Sequence, residues 1–201
     1  MKAGWLMLIG GMAAPAGALA AQSVSADASL GLRGRFALSG EWRVLDPGPL
    51  SLRAGLRLTR YGGDPGTFHN RGSVTSALPA TVELAPRVWG LNLMIGGDLA
   101  LAGPLALGAN LDLAGIAVGP ERGIGSARLE PARGSLFRYG NADRGSLNSE
   151  LFVSLRVGGR FRIRGGLSHY VVGYRAVETG GASETRYQRF DTVPFVALTW
   201  R

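Results

Sequence analysis

The sequence predicts an all-β chain folded as a membrane-spanning antiparallel up-and-down β-barrel of about eight strands. Three observations lead there. Apolar residues recur at every second position over long stretches, the period of a strand with two unlike faces. The positions between them carry Ser, Asn, Asp, Glu and above all Arg. The alternating runs are joined in turn by short breaks and by long stretches rich in Gly and Pro, the asymmetry of turns on one side of a membrane and loops on the other.

The first segment is set apart. Met1 and Lys2, the apolar run from Trp5 to Ile9, and Ala18-Leu19-Ala20 make the charged start, short apolar core and A-x-A ending of a secretory signal peptide. Residues 1–20 are expected to be removed on export, leaving 21–201 as the barrel. From Val24 the alternation is long: Ala26, Ala28, Leu30, Leu32, Phe36, Leu38, Trp42 and Val44 share one parity. This exceeds the roughly 9–11 residues of one spanning strand. It is divided into strands near 22–30 and 34–44, with a turn at Gly31 to Arg33. Asp46-Pro47-Gly48-Pro49 is a strong turn signal. Leu50, Leu52, Leu56 and Leu58 then alternate with Ser51, Arg53, Arg57 and Thr59 in a third strand. A loop from Leu45 to Pro49 sets Val44 opposite Leu50 and Glu41 opposite Arg53.

Residues 62–86 show no sustained period and read as a loop. The central hairpin follows. Trp89, Leu91, Leu93, Ile95, Leu99 and Leu101 form one face, and beyond Ala102-Gly103-Pro104 so do Leu105, Leu107, Leu111 and Leu113. A helix is disfavoured here by Pro104, and by Asp98 and Asp112 at about 2.5–3.5 kcal/mol each at a membrane helix centre. A second loop spans 119–148; strands over 150–157 and from Phe161 flank a turn at Gly158-Gly159-Arg160; a third loop covers 176–184; residues 185–201 make the last strand.

The chain has no cysteine, which removes disulfides and thiolate metal sites, and its length of 201 residues suits one domain. The formal charge of +8 rests on 21 arginines and Lys2. Basic composition suggests nucleic acid, yet these arginines alternate through apolar strands and do not cluster beside stacking aromatics, so no nucleic-acid partner is expected.

The leader, the hairpin LALGANLDLAGIAVG, the segment RGSLNSELFVSLRV and the last strand VPFVALTW carry a resemblance. The chain resembles the outer-membrane β-barrel proteins of Gram-negative bacteria, in particular the small eight-stranded OmpA- or OmpX-type class. The resemblance implies an outer-membrane location reached through the periplasm, contact with outer-membrane lipid and lipopolysaccharide, and a monomer. It also implies handling by the barrel-assembly machinery, which reads a terminal aromatic; here Trp200 is followed by Arg201, a departure from the usual ending. Such proteins serve as adhesins, channels, anchors and lipid-modifying enzymes, so the class does not choose an activity.

The residues do choose against several. A phosphate-binding loop needs a lysine and the only one is Lys2; two histidines, His69 and His169, are too few for a His-rich metal site; no cofactor is expected. Ser168-His169 is the sole nucleophile–base candidate of a lipid A-modifying enzyme, and neighbours on a strand point to opposite faces. No catalytic residue is therefore expected. The inward parity carries Arg33, Arg35, Arg43, Arg53, Arg57, Arg156, Arg162 and Arg164, with Glu41, Asp98, Asp112 and Glu150; Asp27, Arg189 and Asp191 share it. An eight-stranded barrel is just wide enough to be filled by side chains, so these groups are expected to interlock as salt bridges. The turn at 158–160 sets Arg156 against Arg162, an unfavourable pair. The expected role is a structural or surface-interaction protein with a salt-bridged polar lumen. The alternatives are a narrow, porin-like, anion-preferring channel and a lipid A-modifying enzyme. Arg71, Arg87, Arg122, Arg128, Arg133, Arg138 and Arg144 fall in loops or strand tips, within reach of lipopolysaccharide phosphates.

Overall fold

The computed structural model describes residues 24–46, 48–72, 78–124, 127–139, 143–178 and 185–201; the expected leader lies outside them. Thirteen strands occur among these residues, and eight close into an antiparallel barrel. The barrel strands are Val24–Gly31 (β1), Arg35–Leu45 (β2), Leu50–Gly62 (β3), Arg87–Ala100 (β6), Leu105–Val118 (β7), Leu147–Val157 (β11), Phe161–Glu178 (β12) and Arg186–Trp200 (β13). Each pairs with the next in this order, and β13 returns to β1 through pairs such as Ala26 with Trp200 and Leu30 with Val196. No edge is left open around this ring, which removes the liability of unpaired strand edges.

Parity decides what faces where. On every barrel strand the apolar set points outward and stays exposed: Ala26 and Ala28 on β1, Leu38 on β2, Leu56 on β3, Leu93 on β6, Leu107 on β7, Leu151 on β11, Ile163 on β12 and Leu198 on β13. The alternate positions are buried inside. Trp42, Phe161 and Trp200 ring the outer face near the short turns, and Trp89 stands at the other end.

Three details differ from the sequence reading. The first turn comprises Leu32 to Gly34, one residue later than expected, because Arg33 and Gly34 adopt left-handed conformations (φ 60° and 72°) and the glycine does so without steric penalty. Arg33 is thereby lifted out of the wall into the turn. The second difference is a bulge between Arg43 and Leu45, which places Glu41 opposite Gly55 and Arg43 opposite Arg53; Val44 does not pair with Leu50. Leu50 and Ser51 pair instead with Leu99 and Asp98 of β6, so β3 extends below β2. The third is a bulge in the central hairpin: Met94 faces Asp112 and Leu93 faces Ala114, leaving Leu113 over. Beyond it the parity of β7 is exchanged, and Ile116 and Val118 take the outward positions.

The loop ends are also more ordered than the lack of period suggests. Within 62–86 lies a hairpin of Gly66–Asn70 (β4) and Thr81–Leu84 (β5); within 119–148 lie Arg122–Ile124 (β8), Ala127–Pro131 (β9) and Gly134–Leu136 (β10). β4 pairs the upper part of β13, β9 the upper part of β12, and β10 the upper part of β7. These short strands raise the wall above the point where β1 and β11 end.

Candidate functional site: the charged lumen

The interior begins, at the short-turn end, as a layer of charge. Among the described residues five arginines (Arg35, Arg53, Arg57, Arg162 and Arg164) and five acids (Asp27, Glu41, Asp98, Asp112 and Glu150) are buried there. They are connected in sequence. Arg162 Nη1 meets Asp98 at 2.6 Å, and Asp98 meets Arg53 Nη2 at 3.3 Å. Arg53 donates to Glu41, whose other oxygen faces Arg164 at 3.6 Å; Arg164 ends on Asp27 at 2.5 Å. A second group centres on Glu150, which pairs Arg35 at 2.5 Å and Arg57 at 2.9 Å, with Arg57 passing on to Asp112 at 3.2 Å.

Asn110 joins the two groups. Its amide nitrogen donates to Glu150 Oε2 at 2.8 Å while its carbonyl oxygen accepts from Arg53 Nη2 at 3.2 Å. Asn92 donates to Asp112 at 2.8 Å, and Thr199 Oγ1 donates to Asp27 at 3.1 Å. With Thr199 on β13, all eight barrel strands contribute a side chain to one network. Two aromatic rings fill what the charges leave: Arg164 lies 4.8 Å and Arg53 6.0 Å from the centre of Phe152, and Arg35 lies 5.7 Å from that of Phe195. A guanidinium over a ring face gains electrostatically without being hydrated.

The Glu41–Arg53 pair survives the register change because side chains at diagonal positions two residues along, roughly 7–8 Å apart at the backbone, remain within reach of a long arginine. Space is provided by small residues. A Cβ on Gly108 would come within 2.4 Å of both Asp98 and Phe152, and one on Gly96 within 2.3 Å of Asn110.

Of the twelve lumen candidates, nine (Arg35, Glu41, Arg53, Arg57, Asp98, Asp112, Glu150, Arg162 and Arg164) are brought together in this network. Three are not. Arg33, in its displaced turn, is exposed and pairs Asp191 at 2.8 Å. Arg43 pairs Asp46 at the short-turn mouth, beside the bulge and outside the network. Arg156 is exposed at the same mouth, directly opposite Arg162 as the turn length implied. Asp27 is inside the network, whereas Arg189 and Asp191 pair each other at 2.7 Å near the loop end. Phe152 and Asn148 were missed as lumen residues; their even position between Leu151 and Val153, or beside Leu147, is the signal that could have found them.

Above Ser168 the filling changes. Tyr61, Phe68, Val88, Leu129, Tyr170, Val172, Tyr174 and Tyr187 form a buried apolar cluster. Phe68, from β4, meets Tyr174 edge-on at 5.4 Å; Tyr61 and Tyr170 lie 5.6 Å apart. The hydroxyl of Tyr187 donates to Pro79 O at 2.6 Å, and that of Tyr174 accepts from the Arg87 amide at 3.2 Å. Ser168 donates to Asn148 at 2.6 Å inside the barrel, while His169 is exposed outside, with Nδ1 2.8 Å from Thr192 Oγ1. The two cannot act as a nucleophile and its base. No group of three or more metal-ligating side chains occurs among the described residues.

No family model matches the chain, and no curated protein matches it. Among solved structures it is similar to an outer-membrane expressed OmpT of Vibrio cholerae, at 11% sequence identity and a TM-score of 0.24, over 84% of this chain and 56% of that one. The chain thus spans just over half the length of that protein.

Proposed function

We propose that this chain is a closed outer-membrane barrel of the small OmpA- or OmpX-type class, a structural or surface-interaction protein without enzymatic activity. The observation that carries the reading is the double closure of the lumen. Five positive and five negative side chains neutralise one another at one level, and an apolar cluster fills the next. An ion entering would have to displace both. A balanced lumen also gives no reason for anion preference, which an unpaired arginine wall would supply.

Membrane insertion is supported by the exterior. Leu, Ile or Val stand exposed on all eight barrel strands, with the small alanines Ala26 and Ala28 among them on β1, a surface that suits lipid and would associate in water. The aromatic residues at both ends match interfacial girdles. Arg60 and Arg87 face outward beside Trp89 on neighbouring strands, and neither has an acidic partner among the described residues. They suit the phosphates of lipopolysaccharide, and orient the long loops toward the cell surface. A monomer delivered through the periplasm by the barrel-assembly machinery completes the reading, with no nucleic-acid partner.

Planar-bilayer recording of the refolded protein, with mass analysis of lipid A incubated with it, tests this reading. A silent bilayer and unmodified lipid A are expected. Steady single-channel conductance overturns the closed lumen, and a lipid A mass shift overturns the non-enzymatic role.

A further inference from the structure

At the short-turn end the lumen opens into a cavity of about 190 Å³. This is an order of magnitude more than the roughly 10–15 Å³ one water needs on the same measure. Four arginines from different parts of the chain line it: Arg43 at the end of β2, Arg156 at the end of β11, Arg162 at the start of β12, and Arg201 after β13. Among the described residues the acidic side chains lining it are Asp46 and Asp98. Both are already engaged. Asp46 pairs Arg43, and Asp98 divides its oxygens between Arg162 at 2.6 Å and Arg53 at 3.3 Å.

Arg156 and Arg201 therefore have no acidic side chain as partner among the described residues. Arg156 stands directly across from Arg162 in the strand pairing, an arrangement that repels unless an anion lies between. Burial, and next the guanidiniums of Arg162 and Arg43, press the Arg201 side chain down to about 10, so a second cation there is resisted by its neighbours. A chain under pressure only to close this end could have ended the pairs in neutral residues. It has instead gathered four planar forks around a concave opening whose low-dielectric wall concentrates their field. Guanidinium forks match tetrahedral oxyanions through paired N–H···O bonds.

We infer that the cavity bounded by Arg43, Arg156, Arg162 and Arg201 is a binding site for a phosphate group, taken from solution or presented by a phospholipid headgroup. The site goes beyond the closed-barrel role and draws on it only for its compartment, the periplasmic side. Phosphate engages Arg156 and Arg201 first, since these are uncommitted. Arg162 keeps Asp98 and supplies a further donor.

The test is a calorimetric titration of inorganic phosphate into the refolded full chain in maltoside micelles, which carry no phosphate, at low ionic strength. One phosphate per chain is expected to bind saturably and to weaken as salt rises. Arg156→Gln with Arg201→Gln lowers the affinity at least tenfold, whereas Arg156→Lys, which keeps the charge and loses the fork, lowers it less. Arg156 is exposed, so its replacement leaves the fold in place, and heat-modifiable migration in gels verifies this for each variant. In a second arm phosphatidylglycerol is added to the micelle. Displacement of phosphate by the lipid identifies the headgroup as the source, and persistence of phosphate binding identifies the free ion. A titration without saturation, or saturable binding unchanged in the double variant, overturns the proposal.

Discussion

Below Ser168 the barrel interior is packed with ten charged side chains, and above it with tyrosine, phenylalanine and aliphatic residues, although both levels are enclosed by the same strands β3, β6, β7, β12 and β13. The lower level is walled by the long barrel strands themselves. The upper level is walled partly by β4, β9 and β10, each three to five residues long. The difference teaches how each filling distributes its dependence. A buried charge is tolerable only with its partner present, so every member of the lower network relies on strands across the barrel. An apolar side chain relies on shape alone, and its loss leaves a cavity whose cost is felt nearby.

The largest expected effect is at Glu150, which holds Arg35 and Arg57 and also accepts from Asn110 and Asn148. Glu150→Gln strands two buried arginines and should lower stability by about 3–5 kcal/mol, read from urea unfolding in vesicles. A loss below about 1 kcal/mol would mean that water reaches the network and that the lumen is not closed. Phe68→Ala probes the upper level. Its ring is fully buried against Tyr174, and a loss of about 3 kcal/mol is expected, confined to the loop end. Limited proteolysis should then cut at the arginines of β4's neighbourhood while the lower strands stay protected; uniform loss of protection would erase the distinction between the levels.

Gly108→Ala sharpens the comparison from the side of space. Sequence parity alone would rank Gly108 as a tolerant inward position, but the added methyl meets Asp98 and Phe152 at 2.4 Å, and overpacking of this kind costs about 1–3 kcal/mol. Unaltered unfolding in this variant would show the lower level to be loosely filled. The smallest effect belongs to Arg128→Gln, which breaks a surface pair with Glu121 at 3.3 Å where both side chains are more than half exposed. A change within about 1 kcal/mol is expected there, and a larger one would point to a structural role for the β8–β9 hairpin.

Legibility in the sequence followed range. The faces of β6, and of β7 as far as its bulge at Leu113, were readable because alternation is a property of each strand by itself, and the three-residue turn between them brings Leu99 opposite Leu107 and Ile95 opposite Leu111. The turn at 158–160 likewise set Arg156 against Arg162. The register of β2 on β3 was not readable, because a bulge at Arg43 to Leu45 changes the pairing without changing parity. Arg33 was misplaced for a related reason: a one-residue displacement of a turn moves a side chain from wall to rim.

The sequence by itself determined the eight barrel strands, their inward and outward faces between the bulges and the short turns at 102–104 and 158–160, since a pleated backbone sends successive side chains to opposite sides whatever it pairs with. Only the tertiary structure decided which arginine meets which acid, that Asn110 ties Arg53 to Glu150, and that Phe68 joins Tyr174 over the network. Those contacts cross the lumen or join short strands far apart in the chain. They depend on how the closed sheet is staggered, and that stagger is set by all eight strands together rather than by the period of any one.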